Sequence, residues 1–131
     1  MTWQSLAPNL PVPDVPAAQE WYRTVLGLEV NWIWEDDFGS VGWDSVEIFL
    51  YESDSPKAVV CSLFVDIDEL DAVYDRCRER GGEIVSELEQ KPWGLREFSV
   101  CDPGGNILRI GGVGRQAAET ANATVDGEAG S

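Results

Sequence analysis

Two segments of the 131-residue chain carry the same helix-boundary residues at the same spacing, and this constrains the fold more than any other feature. Asp14 and Asp68 are each suited to cap the start of a helix, and they are 54 residues apart. Gly27 and Gly81 are suited to end those helices, and they are also 54 residues apart. The equal spacing predicts two copies of one structural unit.

Strands surround each predicted helix. In the first unit, side-chain alternation predicts strands in "LEVNWIWE" and "SVEIFLYES". The first of these places Val30, Trp32 and Trp34 on one face. The second separates an apolar face from a mixed face, which comprises Glu47, Phe49 and Tyr51.

The second unit repeats the order with "AVVCSLFVDI", the helix after Asp68, and then "EIVSELE", "LREFSVCD" and "NILRIGG". The chain therefore predicts an α+β domain at residues 1–112, with units at about 5–53 and 58–112. Residues 113–131 are small and polar without apolar periodicity, which predicts a disordered tail.

The net charge of −15, from 24 acidic and 9 basic residues, narrows the partners. Nucleic acid and anionic membrane surfaces are disfavoured because phosphate contacts need clustered Lys and Arg. Cationic ligands are favoured by the same charge. Adaptation to a salty cytoplasm and simple solubility remain open as explanations of the acidity. The first residues lack the pattern of a signal peptide, so a cytoplasmic protein is expected.

Catalytic patterns are sparse in this sequence. It contains no histidine, which removes Ser–His and Cys–His pairs, and its three cysteines form no CxxC pair. The segment "EDDFGSVGWDSVEIFLYES" instead combines carboxylates with aromatic rings. We therefore expect a binding site rather than a catalytic one.

Three motifs carry a family resemblance: "VPDVPAAQEWYRTVLGLEV", "VDIDELDAVYDRCRERGG" and "KPWGLREFSVCDPGGNILRI". In this order they resemble the vicinal oxygen chelate superfamily of glyoxalases, bleomycin resistance proteins and dioxygenases. "EDDFGSV", "PWGLREF" and "DPGGN" are most similar to the bleomycin resistance proteins. The resemblance covers roughly residues 5–112. It implies two tandem βαβββ modules, a curled mixed sheet around a cup-shaped groove, and a homodimer.

Enzymes of the superfamily hold a divalent metal in that cup. The resemblance carries their ligand positions over to Ala7, Phe49, Cys61 and Arg109. Alanine and phenylalanine cannot ligate, and an arginine is permanently cationic. Glu47 and Glu97 are the carboxylates that could substitute, and we expect Glu97 to pair with Arg109. No metal, no other cofactor and no catalytic residue are therefore expected.

The bleomycin resistance proteins trap a cationic drug with flat rings between aromatic side chains. Matched by motif, the resemblance implies that Phe38 and Trp93 form the stacking clamp. Glu35, Asp36 and Asp37 would add negative potential beside it. The remaining candidates to line the groove are Trp34, Trp43, Phe49, Tyr51, Glu97 and Arg109.

Alternatives remain open at this point. Trp32 and Trp34 could be core or dimer-interface residues, and the acidic turn could be an ordinary solvated one. The leading hypothesis is a non-catalytic protein that sequesters a cationic aromatic compound such as bleomycin, with a role in antibiotic resistance. The same scaffold could bind another small molecule, or it could be a metal-dependent enzyme of the glyoxalase or dioxygenase type.

Overall fold

The computed structural model describes residues 1–55 and 57–114, which form two βαβββ units in tandem. The first unit comprises β1 (Asn9–Val12), α1 (Val15–Val25), β2 (Glu29–Trp34), β3 (Phe38–Trp43) and β4 (Val46–Glu52). The second unit comprises β5 (Val60–Asp66), a short 3-10 helix (Ile67–Glu69), α2 (Leu70–Glu79), β6 (Glu83–Gln90), β7 (Arg96–Cys101) and β8 (Ile107–Val113). The α+β class and the repeated unit are confirmed. Of the predicted tail, Val113 belongs to β8 and residues 115–131 lie outside the described part.

Each unit builds its own four-stranded mixed sheet. The strand orders are β1-β4-β3-β2 and β5-β8-β7-β6. In each sheet the first pair is parallel and the other pairs are antiparallel. The two sheets are separate, so one chain does not close the cup. Within residues 1–55 and 57–114, neither α-helix has the length and apolar character of a membrane span.

The helix boundaries follow the sequence signals at three of four points. Asp14 caps α1, because its carboxylate accepts a hydrogen bond from the backbone N–H of Ala17 at 2.9 Å. Gly27 and Gly81 follow the two helices with left-handed φ angles of 73° and 82°. Asp68 was wrongly predicted as a cap. It lies inside the 3-10 helix, which leads directly from β5 into α2 and takes the place of a side-chain cap.

A bulge in β2 changes which residues share a face. Val30 pairs with Val41, whereas Trp32 pairs with Ser40, so Asn31 is an extra residue in β2. The prediction that Val30 shares a face with Trp32 and Trp34 was therefore wrong. Beyond the bulge, the two tryptophans do share a face.

Gln19 supports the bulge from the helix. It is a buried polar residue of α1, only 4% exposed. Its side-chain Nε2 donates to the carbonyl of Trp32 at 2.8 Å and to the carbonyl of Ser40 at 3.4 Å. These bonds connect α1 to both strands beside the bulge.

A single apolar core lies between the sheets and includes residues of both units. Each sheet contributes its helix-covered face to this core. The members with almost no exposed surface include Leu10, Ile48, Leu50, Leu70, Phe98 and Leu108. The alternation predicted for β4 is confirmed, because Ile48 and Leu50 are buried while Phe49 is on the other face.

A buried carboxylate joins the two units. Asp102, in the β7–β8 turn, accepts from the hydroxyl of Tyr22 at 2.6 Å and from the backbone N–H groups of Gly104 and Asn106. The amide of Asn106 also donates to Asp102 and to the carbonyl of Pro11, each at 2.9 Å. The "DPGGN" turn therefore does more than reverse the chain. It fixes the second unit against the first strand and helix of the first unit.

We predict that Tyr22→Phe lowers the free energy of unfolding by about 1–3 kcal/mol, because it leaves Asp102 buried with one donor fewer. Urea denaturation at pH 7 measures the change. Tyr51→Phe is the control, because that ring is 40% exposed and should change stability little. Equal stability of wild type and Tyr22→Phe would contradict the role given to this bond.

Tyr22 also leads us to predict that the free energy of unfolding decreases at alkaline pH. Burial, and then the neighbouring Asp102, raise the pKa of Tyr22 well above its ordinary value of 10.0. The unfolded chain loses this proton near pH 10 while the folded chain keeps it. The stabilisation of the folded state that is linked to the raised pKa of Tyr22 is therefore complete below about pH 10 and is lost as the pH rises further. The unfolding free energy of wild type should fall more steeply above about pH 10 than that of Tyr22→Phe, as measured by denaturation at a series of pH values. Parallel curves would contradict this.

Candidate functional site

The open face of the first sheet, away from α1, carries three rows of paired residues. Cross-strand pairing defines the rows as Trp34–Phe38–Tyr51, Trp32–Ser40–Phe49 and Glu29–Gly42–Glu47. The first two rows supply five aromatic rings. We call these five residues, Trp32, Trp34, Phe38, Phe49 and Tyr51, the aromatic face.

Three rings of the aromatic face pack against one another. The ring centroids lie 5.3 Å apart for Trp32–Phe38, 5.7 Å for Trp32–Phe49 and 5.5 Å for Phe38–Phe49. The planes are edge-on or tilted, an arrangement that aromatic pairs favour. Trp34 and Tyr51 remain 60% and 40% exposed. The aromatic face is therefore an apolar surface in which three rings are held by their mutual packing and which is partly open to solvent.

Phe38 lies at the start of a strand that follows the acidic turn. It is the first residue of β3 and not a lone ring on an exposed turn. The acidic turn before it comprises Glu35, Asp36 and Asp37. Glu35 and Asp36 adopt left-handed backbone angles, with φ of 49° and 60°. All three carboxylates are exposed, so the turn places negative charge at the edge of the aromatic face.

A polar chain lies beside the rings. The hydroxyl of Ser40 donates to Oε2 of Glu47 at 2.6 Å and accepts from Nδ2 of Asn31 at 3.0 Å. Ser40 has no exposed surface, and Glu47 is partly buried. Glu47 was predicted only as a substitute metal ligand, and the other two residues were not predicted. Alternation along β3 could have placed Ser40 beside Phe49, but the bulge that brings Asn31 there has no local sequence pattern.

The open face of the second sheet contains an ion pair. Nε and Nη2 of Arg109 donate to the two carboxylate oxygens of Glu97, each at 3.1 Å, as the sequence predicted. The indole Nε1 of Trp93 also donates to Glu97, at 2.5 Å, and the Arg109 guanidinium lies 5.4 Å from the Trp93 ring centre. Hydrogen bonds from Arg109, above all, lower the pKa of Glu97. This carboxylate is therefore ionised and already has its counter-ion.

Phe38 and Trp93 do not meet within one chain. Phe38 begins β3 of the first sheet, whereas Trp93 lies in the loop between β6 and β7 of the second. The ring contacts of Phe38 in the described part of the chain are with Trp32 and Phe49. The two halves of the predicted clamp thus belong to different surfaces of the molecule.

Trp43 is separated from the other candidates. It pairs with Val46 and, by alternation from Phe38 and Ser40, faces away from the aromatic face. Its ring lines a pocket of about 530 Å³ beside Leu28 and Phe64. Trp43 follows Phe38 by five positions in β3, an odd number, so the two side chains lie on opposite faces of that strand.

The positions that correspond to metal ligands do not fit a divalent ion. Cys61 pairs with Leu108 and packs against the core, and burial raises the pKa of its thiol. Ser62, one residue later, lies opposite Arg109, so the ligand position carried over to Cys61 falls one residue before the row that contains Arg109. Phe49 belongs to the ring cluster, and the arginine is cationic and already paired. Across residues 1–55 and 57–114, no three His, Cys, Asp or Glu side chains form a group that could hold a metal.

Solved structures share this fold. TioX from Micromonospora sp. ML1 is 20% identical with a TM-score of 0.73, over 84% of this chain and 98% of that one. The bleomycin-binding protein of bleomycin-producing Streptomyces verticillus, solved with copper(II)-bleomycin, is 21% identical with a TM-score of 0.70, over 86% and 98%. Lactoylglutathione lyase from Agrobacterium tumefaciens is 18% identical with a TM-score of 0.71, over 85% and 94%. At these identities the likeness shows the fold alone.

Comparison with curated proteins gives no match. A family model does match, over residues 5–110, and its description is Glyoxalase/Bleomycin resistance protein/Dioxygenase superfamily. This range includes both βαβββ units almost completely. The chain therefore belongs to the glyoxalase/bleomycin resistance protein/dioxygenase superfamily.

Proposed function

We propose that this protein is a non-catalytic binding protein that sequesters a cationic, planar aromatic small molecule such as bleomycin. The observation that carries the proposal is the aromatic face, a continuous set of partly exposed rings bordered by carboxylates. Exposed apolar patches of this kind mark ligand or partner sites. Protection of a cell from an antibiotic would follow from sequestration alone.

Rings and charges would contribute differently to binding. Each stacked aromatic pair adds about 0.5–1.5 kcal/mol beyond the burial of its area. The exposed carboxylates of the Glu35–Asp37 turn would speed the encounter with a cation and disfavour anions. The formal charge of −15 acts in the same direction at longer range.

A catalytic role has less support from the side chains. The sequence has no histidine to act as a metal ligand or a general base. Glu97, the most buried carboxylate of the second open face, has both oxygens engaged by Arg109. A carboxylate held in this way is poorly suited to accept a substrate proton or to ligate a metal ion.

The proposed groove needs two chains. Because Phe38 and Trp93 lie on different sheets, we place the aromatic face of one copy opposite the Trp93 loop of a second copy in a homodimer. Apolar residues remain exposed on the second open face as well, with Phe64 50% and Val60 63% exposed. A paired surface would cover these residues together with the aromatic face. Two equivalent grooves would result from the two-fold symmetry.

Two tryptophans of similar exposure give a matched test of the aromatic face. Trp34 is 60% exposed on that face, and Trp43 is 55% exposed on the opposite one. Isothermal titration calorimetry with bleomycin should show that Trp34→Ala raises the Kd by about tenfold, which corresponds to one or two lost ring contacts. Trp43→Ala should leave the Kd nearly unchanged. Absence of wild-type binding at micromolar drug, or equal losses in the two variants, would contradict the proposal.

A mixed dimer tests whether the groove is shared between copies. Phe38→Ala and Trp93→Ala homodimers should each bind bleomycin weakly, because both of their grooves are damaged. A heterodimer of the two variants, purified with two different tags, combines both substitutions in one groove and leaves the other groove intact. Calorimetry should therefore find one tight site per heterodimer. A heterodimer with no tight site would show that the two residues do not act across the subunit boundary.

A further inference from the structure

We propose that Glu47 is the group that recognises the positive charge of the ligand, and that Ser40 and Asn31 hold it in position for this purpose. The inference rests on the proposed function, which it deepens by assigning one carboxylate to one part of the ligand. The exposed turn at residues 35–37 would then serve encounter only.

The hydrogen bonds around Glu47 have a fixed direction. A serine hydroxyl has one proton, and that of Ser40 is donated to Oε2 of Glu47 at 2.6 Å. Ser40 therefore acts as an acceptor toward Asn31, whose Nδ2 lies 3.0 Å away. Because Ser40 is completely buried, this chain is anchored in the sheet and restricts the carboxylate to one orientation.

Glycine at position 42 makes this arrangement possible. A Cβ atom there would lie 2.2 Å from the carbonyl oxygen of Val46 and 3.2 Å from Nδ2 of Asn31. Any side chain would therefore collide with the β3–β4 hairpin and displace the amide of Asn31. The bulge in β2, supported by Gln19, brings that amide over the same row.

Glu47 is partly buried and differs from Glu97, the buried carboxylate of the second open face. Glu97 is engaged through both oxygens by Arg109 and Trp93. Glu47 has no Lys or Arg within ion-pair distance among the residues described, and only its Oε2 accepts a hydrogen bond. A partly buried carboxylate without a counter-ion is unfavourable in the free protein. A ligand cation that donates to Oε1 would complete the site.

The position of Glu47 limits the ligand chemistry. It lies two residues before Phe49 on the same face of β4, a separation of about 6.8 Å along the strand. A ligand whose rings cover the Trp32–Phe38–Phe49 cluster would thus reach Glu47 if it carries an ammonium or guanidinium group about 6.8 Å from those rings. Charge-assisted hydrogen bonds in a partly buried site discriminate between cationic and neutral ligands more strongly than exposed ion pairs do.

Tryptamine and tryptophol provide the test, because both carry an indole and an ethyl chain but only tryptamine carries an ammonium group. Calorimetry should give a Kd for tryptamine at least about tenfold below that for tryptophol with the wild-type protein. Glu47→Gln should abolish this preference and leave the Kd of tryptophol unchanged, which also shows that the variant is folded. Glutamine can still accept from Ser40, so the polar chain is retained.

Glu35→Gln is the control, because it removes the same charge from the exposed turn, and its preference for tryptamine should change less than about twofold. If Glu35→Gln abolishes the preference, or if Glu47→Gln retains it, the assignment of Glu47 is overturned while the proposed function stands. Absence of binding of both probes to the wild-type protein would overturn the assignment of Glu47, whereas the proposed function is overturned only if the wild-type protein also fails to bind bleomycin. If the wild-type protein and Glu47→Gln prefer tryptamine over tryptophol equally at all salt concentrations, the ligand cation binds at a site other than Glu47.

Discussion

The buried carboxylate of Asp102 is the constraint on which the arrangement of the molecule depends. It accepts hydrogen bonds from Tyr22 of the first unit and from its own turn, and Asn106 extends the contact to Pro11. A buried carboxylate with fewer donors would be strongly unfavourable, so the two units are joined in one relative position. That position puts the helix-covered faces of both sheets into one core and leaves their other faces open. The hydrogen bonds of Asp102 therefore determine which faces of the two sheets are available for binding.

The two open faces have different chemistry, although the units that carry them are repeats. The first has five aromatic rings and a carboxylate that pairs with no Lys or Arg in residues 1–55 and 57–114, and the second has a carboxylate already paired with Arg109 beneath Trp93. Divergence of the repeats is therefore concentrated on the side chains that point away from the core. The core positions, in contrast, keep the same apolar character in both units. In a groove between two such different faces, the two sides of a planar cation would contact different kinds of side chain.

The sequence predicted those features that depend on neighbouring residues. Asp14, Gly27 and Gly81 act within one helical turn, and the alternation along β4 reflects the geometry of a single strand. The errors arose where distant residues decide the structure. The bulge in β2 depends on Gln19 of α1, and the orientation of Cys61 depends on its register with β8. The salt bridge from Glu97 to Arg109 was predicted because their strands alternate regularly, whereas the Asn31–Ser40–Glu47 chain crosses the bulge and was missed.

A crystal structure of the protein with bound bleomycin would show whether the aromatic face and Glu47 together hold a planar cation. We expect the flat rings of the drug to lie against Trp32, Trp34 and Phe38, with a cationic group within hydrogen-bond distance of Oε1 of Glu47. Drug bound in the pocket beside Trp43, or a protein-coordinated metal ion on either open face, would be incompatible with this mode of binding.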